Sequence, residues 1–151
     1  MGMPFYGRGF VLNDTQETGL YCGAHAGIPA GPYTRQDGIW GYYEILQAQN
    51  NQTLINLPNA TAQSWTSVTD DCYQAPYMFN GPYWIGYDDP ESIKVKAKFA
   101  NFMELAGSMV WSMDTDDFRG DFGSKFPMMH VSCYGTVMVL NTYIKRPFFS
   151  I

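Results

Sequence analysis

A tryptophan followed by a cluster of carboxylates is the segment best suited to chemistry. Trp111 comes directly after the apolar pair Met109 and Val110, which the pattern predicts to be a short buried strand. Three aspartates lie within the next six residues: Asp114, Asp116 and Asp117. A flat indole at the end of a strand can pack against the C–H face of a sugar ring, whereas a core tryptophan followed by capping aspartates is the structural alternative. The segment alone leaves both interpretations open.

The element before this strand is the clearest helix in the sequence. Asp88 to Ala106 is predicted to be helical because an aspartate can cap its start, Pro90 lies in its first turn, and apolar residues form a broad stripe. Gly107 is expected to end it. A strand is also predicted from Met3 to Leu12, where Gly7 and Gly9 permit close backbone approach. A strand, a helix and a strand form a crossover unit of a parallel sheet, whose ligands lie at the carboxyl ends of the strands.

The residues between these elements show weaker patterns. Asn13 to Pro32 is rich in Gly, Thr and Pro and is predicted to be a loop. Ile39 to Leu46 fits either a short helix or a strand. Cys72 to Asn80 and Tyr83 to Tyr87 are predicted to pair as strands, because a Gly-Pro turn separates them.

Composition restricts the functional classes. The length of 151 residues fits one ordinary domain, and the net charge of −5 argues against a nucleic-acid partner. No apolar run is long enough to cross a bilayer, so no membrane partner is expected. Aromatic residues make up 17% of the chain and charged residues 15%. That balance fits a secreted carbohydrate-binding protein, although a large aromatic core explains it equally well.

The cysteines and sequons give predictions about covalent chemistry. The spacings of Cys22, Cys72 and Cys133 fit no metal site, so no metal or cofactor is predicted. Cys22 and Cys72 are candidates for a disulfide in an oxidising compartment. Three Asn-x-Thr sequons are candidates for N-glycosylation in a secreted protein: Asn13, Asn51 and Asn59.

Four segments in a fixed order give the chain a family resemblance: Gly2–Phe10, Gly38–Ile45, Trp84–Ile93 and Gly107–Phe118. Together they resemble the carboxyl-terminal half of glycoside hydrolase family 18 chitinases and chitinase-like lectins, from about Gly2 to Pro127. The resemblance implies an α/β fold, the carboxyl-terminal portion of a (β/α)8 TIM barrel. Residues 1–8 and 88–127 would supply barrel strands seven and eight with helix seven. Residues 9–87 would be an inserted small α+β domain, and residues 128–151 a divergent tail.

The resemblance also implies roles for single residues. Trp111 matches the tryptophan that forms the floor of the sugar site, and Tyr6 and Arg8 match a Tyr-x-Arg pair at the same cleft. Glu44 matches a carboxylate that accepts hydrogen bonds from sugar hydroxyls. The aspartate cluster is expected mainly to end the strand and to cap the following helix.

Catalysis needs residues that this chain does not contain. In these chitinases a glutamic acid in an Asp-x-x-Asp-x-Asp-x-Glu motif protonates the leaving oxygen while the substrate's N-acetyl carbonyl attacks. That motif is absent from the 151 residues. No catalytic residue is therefore assigned, and the chain alone is predicted to be inactive.

The sequence leaves three hypotheses. The first is a fragment of a secreted, extracellular chitinase that is monomeric in its full-length form and acts on β-1,4-linked N-acetylglucosamine polymers. The second is a fragment of a chitinase-like lectin that binds chitooligosaccharides without cleaving them. The third ignores the resemblance and treats the chain as a small α+β domain. Because two barrel strands cannot close a barrel, the first two predict that the isolated chain exposes apolar strand edges and the stripe of its long helix.

Overall fold

The computed structural model describes residues 1–50, 57–60 and 64–133. In chain order its elements are β1 (Gly2–Pro4), β2 (Tyr6–Leu12), β3 (Ala24–Gly27), β4 (Ile39–Gly41), α1 (Tyr42–Gln49), β5 (Thr66–Asp70), β6 (Ala75–Asn80), β7 (Tyr83–Gly86), α2 (Pro90–Phe102) and β8 (Met109–Trp111). A 3-10 turn at Met113–Thr115 comes next, and then a helix, α3, described over residues 127–133. No helix in these ranges is both long and apolar enough to cross a membrane.

The first and last strands form a parallel pair. Gly2 lies opposite Met109 and Pro4 lies opposite Trp111. Helix α2 precedes β8 in the chain, so the predicted strand–helix–strand order is confirmed. Asp89 caps α2 by accepting a hydrogen bond from the Ser92 N–H at 2.8 Å. This mixed α/β arrangement is that of part of a parallel barrel.

The remaining strands form an antiparallel sheet in the order β3-β2-β7-β6-β5, and β4 also pairs with β2. The predicted strand pair around the Gly-Pro turn is confirmed as β6 and β7. In β2 the glycines and Leu12 face the core, while Tyr6, Arg8 and Phe10 face outward. A Cβ at Gly9 would lie 2.4 Å from Cγ2 of Ile28, so the predicted close approach at this glycine is confirmed.

Four local predictions need correction. The strand predicted from Met3 to Leu12 divides at Phe5, because Phe5 donates its N–H to β8 and its carbonyl accepts from the α1 backbone. Strand β3 lies inside the predicted loop, where its sequence Ala-His-Ala-Gly gave no alternating apolar signal. Ile39 to Leu46 contains both a strand and the start of a helix. Helix α2 ends at Phe102 rather than Ala106, because Glu104 adopts a positive φ of 52°.

Two apolar clusters hold the fold together, and α1 contributes to both. Tyr42 packs with Phe5, Ile93 and neighbours beneath the parallel pair. Ile45, three residues later, packs with Ile85 and neighbours beneath the antiparallel sheet. Because positions three apart lie near one another on a helix, one face of α1 connects the two sheets.

A third set of apolar side chains is exposed, and we call it the α2–β8 apolar surface: Val95, Phe99, Phe102, Met103, Leu105, Met109 and Trp111. Their exposed fractions range from 40% for Val95 to 83% for Phe102. The expectation that the helix stripe and strand edges are exposed in this chain is therefore confirmed. The predicted burial of the β8 strand holds in part: Val110 is half-buried against the cluster that contains Phe5, whereas Met109 is 58% exposed.

Candidate functional site

The site lies at the carboxyl edge of the parallel pair. The carbonyl of Trp111 accepts a hydrogen bond from the Phe5 N–H at 2.8 Å, which closes the ladder between β1 and β8. The Phe5 carbonyl accepts from the Tyr42 N–H at 3.2 Å, which attaches α1 to the same edge. Tyr6 therefore begins the antiparallel sheet directly beyond the point where Trp111 ends the parallel one.

The Trp111 side chain is largely exposed. Its exposed fraction is 68%, and the peptide bond from Trp111 to Ser112 is cis. The chain after it is fixed by Thr115, whose hydroxyl donates to the Ser112 carbonyl at 2.7 Å and accepts from the Ser112 N–H. The indole thus lies at the end of a strand, in the position predicted from the sequence, with much of its surface open.

Tyr6 and Arg8 lie side by side on the outer face of the antiparallel sheet. The guanidinium carbon of Arg8 is 5.7 Å from the centre of the Tyr6 ring, within cation–π range. No carboxylate in the described residues forms an ion pair with Arg8. Both side chains line an open cavity of about 340 Å³. Their donors therefore face solvent-filled space, as a sugar-binding role requires.

Glu44 does not fit its predicted role. It is 2% exposed, and its carboxylate accepts four hydrogen bonds. Oε1 accepts from the N–H groups of Tyr33 and Thr34, at 2.8 and 3.1 Å. Oε2 accepts from the Thr34 hydroxyl at 2.9 Å and from the Gly41 N–H at 2.8 Å. Two hydrogen bonds at each oxygen fill the carboxylate's acceptor positions, so this geometry leaves none for a sugar hydroxyl.

The buried Glu44 instead positions aromatic residues. By holding the Tyr33 backbone it places the Tyr33 ring 5.7 Å from Tyr43, edge to face. Tyr43 in turn contacts Phe118, 5.9 Å away, which lies beyond the end of β8. Burial, and secondarily the charges of Glu44 and Asp114, raise the pKa of Tyr43 to about 12. These rings tie the turn before β4 and the start of α1 to the segment after Trp111.

The buried aspartates are occupied by backbone groups, as the capping prediction expected. Asp116 accepts from the Met128 and Met129 N–H groups at 3.3 and 3.0 Å, which caps α3. Asp117 accepts from three N–H groups of the following loop. Burial raises the pKa of Asp116, although its backbone donors act in the opposite direction. The two carboxylates fix the loop and the helix beyond β8, which confirms the capping part of the prediction.

The covalent predictions remain untested. No group of metal-binding side chains occurs among the described residues. Cys22 is half-buried and Cys72 is exposed, and their chain neighbours Tyr21 and Tyr73 are in edge contact with ring centres 6.3 Å apart. Cys133 is exposed near the end of the described chain. Asn13 and Asn59 are exposed, whereas Asn51 lies outside the described residues.

Sequence reasoning missed an aromatic group beside Arg8. Trp84 of β7 and Tyr77 of β6 stack with ring centres 5.4 Å apart and planes inclined by 23°. Both line the cavity that Tyr6 and Arg8 line. The signal was present as strict alternation in β6 and β7, which places Tyr77 and Trp84 on the outer face.

A parallel strand pair, an antiparallel sheet attached at its carboxyl edge, and open aromatic side chains at that junction define part of an α/β barrel enzyme or binding protein. The family model described as "Glycosyl hydrolases family 18" matches residues 1–116. The chain belongs to glycosyl hydrolase family 18.

Relatives of this chain include a chitinase and a chitinase-like protein. An endochitinase of Manduca sexta is 35% identical over 144 residues, covering 89% of this chain and 24% of the relative. Human chitinase-3-like protein 2 is 37% identical over 122 residues, covering 80% of this chain and 27% of the relative. This chain therefore spans about a quarter of the length of these two relatives.

Similar solved structures also include a chitinase and a pseudo-chitinase. The structure of the Ostrinia furnacalis group IV chitinase with allosamidin superposes with a TM-score of 0.82 at 34% identity, covering 92% of this chain and 35% of that one. Human YKL-39, described as a pseudo-chitinase that retains chitooligosaccharide binding, superposes with a TM-score of 0.76 at 31% identity, covering 91% and 34%. The fold is thus that of a family 18 chitinase domain in part.

Proposed function

We propose that this chain forms the carboxyl-terminal wall of a chitooligosaccharide-binding cleft in an extracellular family 18 protein. The observation that supports this most is the exposed Trp111 at the strand edge from which Tyr6 and Arg8 also emerge. Strand ends of this kind form the ligand site of α/β barrels. The ligands in the structures of two relatives, allosamidin and chitooligosaccharides, support the same substrate class.

The three side chains divide the recognition of a sugar between them. Trp111 offers an indole plane to the apolar face of an N-acetylglucosamine ring. Arg8 offers five N–H donors to hydroxyl and carbonyl oxygens, and Tyr6 holds the guanidinium beside its ring. Glu44 is a positioning residue in this proposal, because its oxygens are fully used within the protein.

The chain contributes binding and not the catalytic acid. Its four glutamates include no Asp-x-x-Asp-x-Asp-x-Glu motif, and Asp116 and Asp117 are committed to backbone N–H groups. We propose a chitinase as the full-length protein, with residues 9–87 as its inserted domain and a monomeric state. A chitin-binding lectin is the alternative, favoured by the likeness to YKL-39. Hydrolysis of chitohexaose by the full-length protein separates the two.

The binding proposal is tested by calorimetric titration of the full-length protein with chitohexaose. Trp111→Ala is expected to weaken binding by about 1–3 kcal/mol, or roughly 5- to 150-fold in Kd, as for an anchoring aromatic. Phe102→Ala is the matched control, because Phe102 is exposed to 83% and does not lie at the strand-end site. Equal affinities of the Trp111 variant and the native protein would remove Trp111 from the site.

A further inference from the structure

We propose that the cavity bounded by Arg8, Trp84 and Tyr77 is an additional sugar subsite, which takes one further pyranose ring of an oligosaccharide bound at Tyr6. This inference rests on the proposed function and extends it. The cavity has a volume of about 340 Å³, within the range of sites that hold small ligands. It begins at Tyr6 and continues along the outer face of the antiparallel sheet.

The sheet register creates the aromatic floor of this cavity. Gly86 is the cross-strand partner of Arg8 on one side and of Tyr77 on the other. A side chain at this central position would separate the two, but glycine leaves the position empty. The Trp84 indole covers it, since a Cβ at Gly86 would lie 2.9 Å from Cη2 of Trp84. Arg8, the indole and Tyr77 therefore follow one another across three strands.

The indole is held in this orientation before any ligand arrives. Its Nε1–H donates to the Thr18 carbonyl at 3.1 Å, and its ring stacks on Tyr77. Trp84 also lines a neighbouring cavity of about 220 Å³ together with Phe10 and Tyr21, so two of its sides border open space. A ring fixed in this way loses little conformational entropy on binding, which favours its use as a recognition surface.

Polar groups on the cavity wall match a neutral sugar. Arg8 offers donors that no described carboxylate occupies. Lys96 and Asp88 are in an ion pair at 2.5 Å, and Asp88 also accepts from the Ser92 hydroxyl at 2.8 Å. The pair neutralises itself, so the described wall presents the Arg8 cation together with neutral donors and an aromatic plane. That combination suits hydroxyl and amide groups on a pyranose face.

The experiment is a calorimetric titration of the full-length protein with chitooligosaccharides of two to six units. In the native protein, affinity should increase when the oligosaccharide becomes long enough to reach Trp84. Trp84→Ala should abolish that increase, raising Kd for the longest oligosaccharide by about 5- to 30-fold, and leave the shortest ligand unchanged. Gly86→Ala should act in the same direction with a smaller effect, because the added methyl displaces the indole without removing it.

Controls keep this test separate from the proposed function. Arg8→Ala and Trp111→Ala should weaken binding of every length, and Phe102→Ala of none. If Arg8→Ala and Trp111→Ala weaken binding while Trp84→Ala and Gly86→Ala bind every length as the native protein does, the subsite is refuted and the proposed cleft is retained. If all four match the native protein, the cleft itself is refuted. Should Trp84→Ala fail to fold by circular dichroism, Trp84→Phe and Gly86→Ala decide the outcome.

Discussion

Replacement of Glu44 by glutamine separates a structural carboxylate from a sugar-binding one. The native side chain accepts two hydrogen bonds at each oxygen and is 2% exposed. Glutamine keeps the shape but turns one oxygen into an NH2 group. If the NH2 group faces the Tyr33 and Thr34 N–H groups, two hydrogen bonds are lost. If it faces the Thr34 hydroxyl and the Gly41 N–H, only the Gly41 bond is lost, because the hydroxyl can accept from the NH2 group while it donates to the Ile39 carbonyl.

The cost depends on the kind of hydrogen bond. A bond to a charged group contributes about 1.5–3 kcal/mol, and the amide takes the orientation that loses one such bond, so the loss is of that size. Burial removes the option of replacing the lost bond with water. Since domains are stable by only about 5–15 kcal/mol, Glu44→Gln should cause a large fall in the urea midpoint of the full-length protein. Amide exchange at residues 33, 34 and 41 should accelerate with it.

Glu17→Gln is the matched control, because Glu17 is exposed in the loop after β2. It should leave both the urea midpoint and the exchange rates unchanged. The structural interpretation is refuted if Glu44→Gln has native stability and exchange but binds chitohexaose more weakly. That result would show that the carboxylate leaves its buried position and contacts the ligand.

Three further predictions concern other parts of the chain. Peptide mapping without reductant should find Cys22 bonded to Cys72 in the secreted protein. The bond closes a loop of roughly 50 residues and should raise the free energy of unfolding by about 4 kcal/mol. Cys133→Ser should leave the bond intact, and free thiols at Cys22 and Cys72 would contradict the prediction. The pKa of Tyr43, about 12, lies above its ordinary value of 10.0, so the folded state holds the proton more tightly. The stability that the raised pKa provides is fully present below pH 10 and is lost as the pH rises through 12. Tyr43→Phe should remove the ionisation near pH 12 from the titration of phenolate absorbance. An unchanged titration would argue against the burial of Tyr43. In the isolated chain, the α2–β8 apolar surface should bind a hydrophobic dye, and thermal unfolding should be broad. A sharp two-state unfolding transition would contradict this prediction.

Local chemistry made part of the fold predictable. The cap at Asp89, the apolar stripe of α2 and the turn between β6 and β7 are each encoded within a few consecutive residues. Strand β3 and the division at Phe5 are not, because they depend on partners elsewhere in the chain. Phe5 looks like the middle of one strand until its hydrogen bonds to β8 and to α1 are known.

In the candidate site, too, residues with local signals were predicted better than residues whose surroundings come from distant parts of the chain. The position of Trp111 at the end of β8 was predicted correctly, because a strand end and a tryptophan are visible together in the sequence. Glu44 was predicted to face the cleft, but its carboxylate is buried. The four groups that donate to this carboxylate belong to a turn about ten residues earlier and to the cap of its own helix, which the local sequence does not reveal. Trp84 was not singled out from the sequence, because its place beside Arg8 and Tyr77 depends on Gly86 and on a register that spans two strands. Side chains whose surroundings come from distant strands cannot be assigned from local patterns.

The pairing of Gly2 with Met109 has a consequence for the order of folding. Strands β5, β6 and β7 pair through hairpins, whereas β2 must meet β7 across more than seventy intervening residues and β1 must meet β8 across more than a hundred. Closing so long a loop costs more chain entropy than closing a hairpin, and a three-residue strand offers few contacts in return. We therefore expect the hairpins of β5, β6 and β7 to form first and the pairing that places Trp111 opposite Pro4 to form last. During synthesis, the junction that we propose as a sugar site would be among the final features to form.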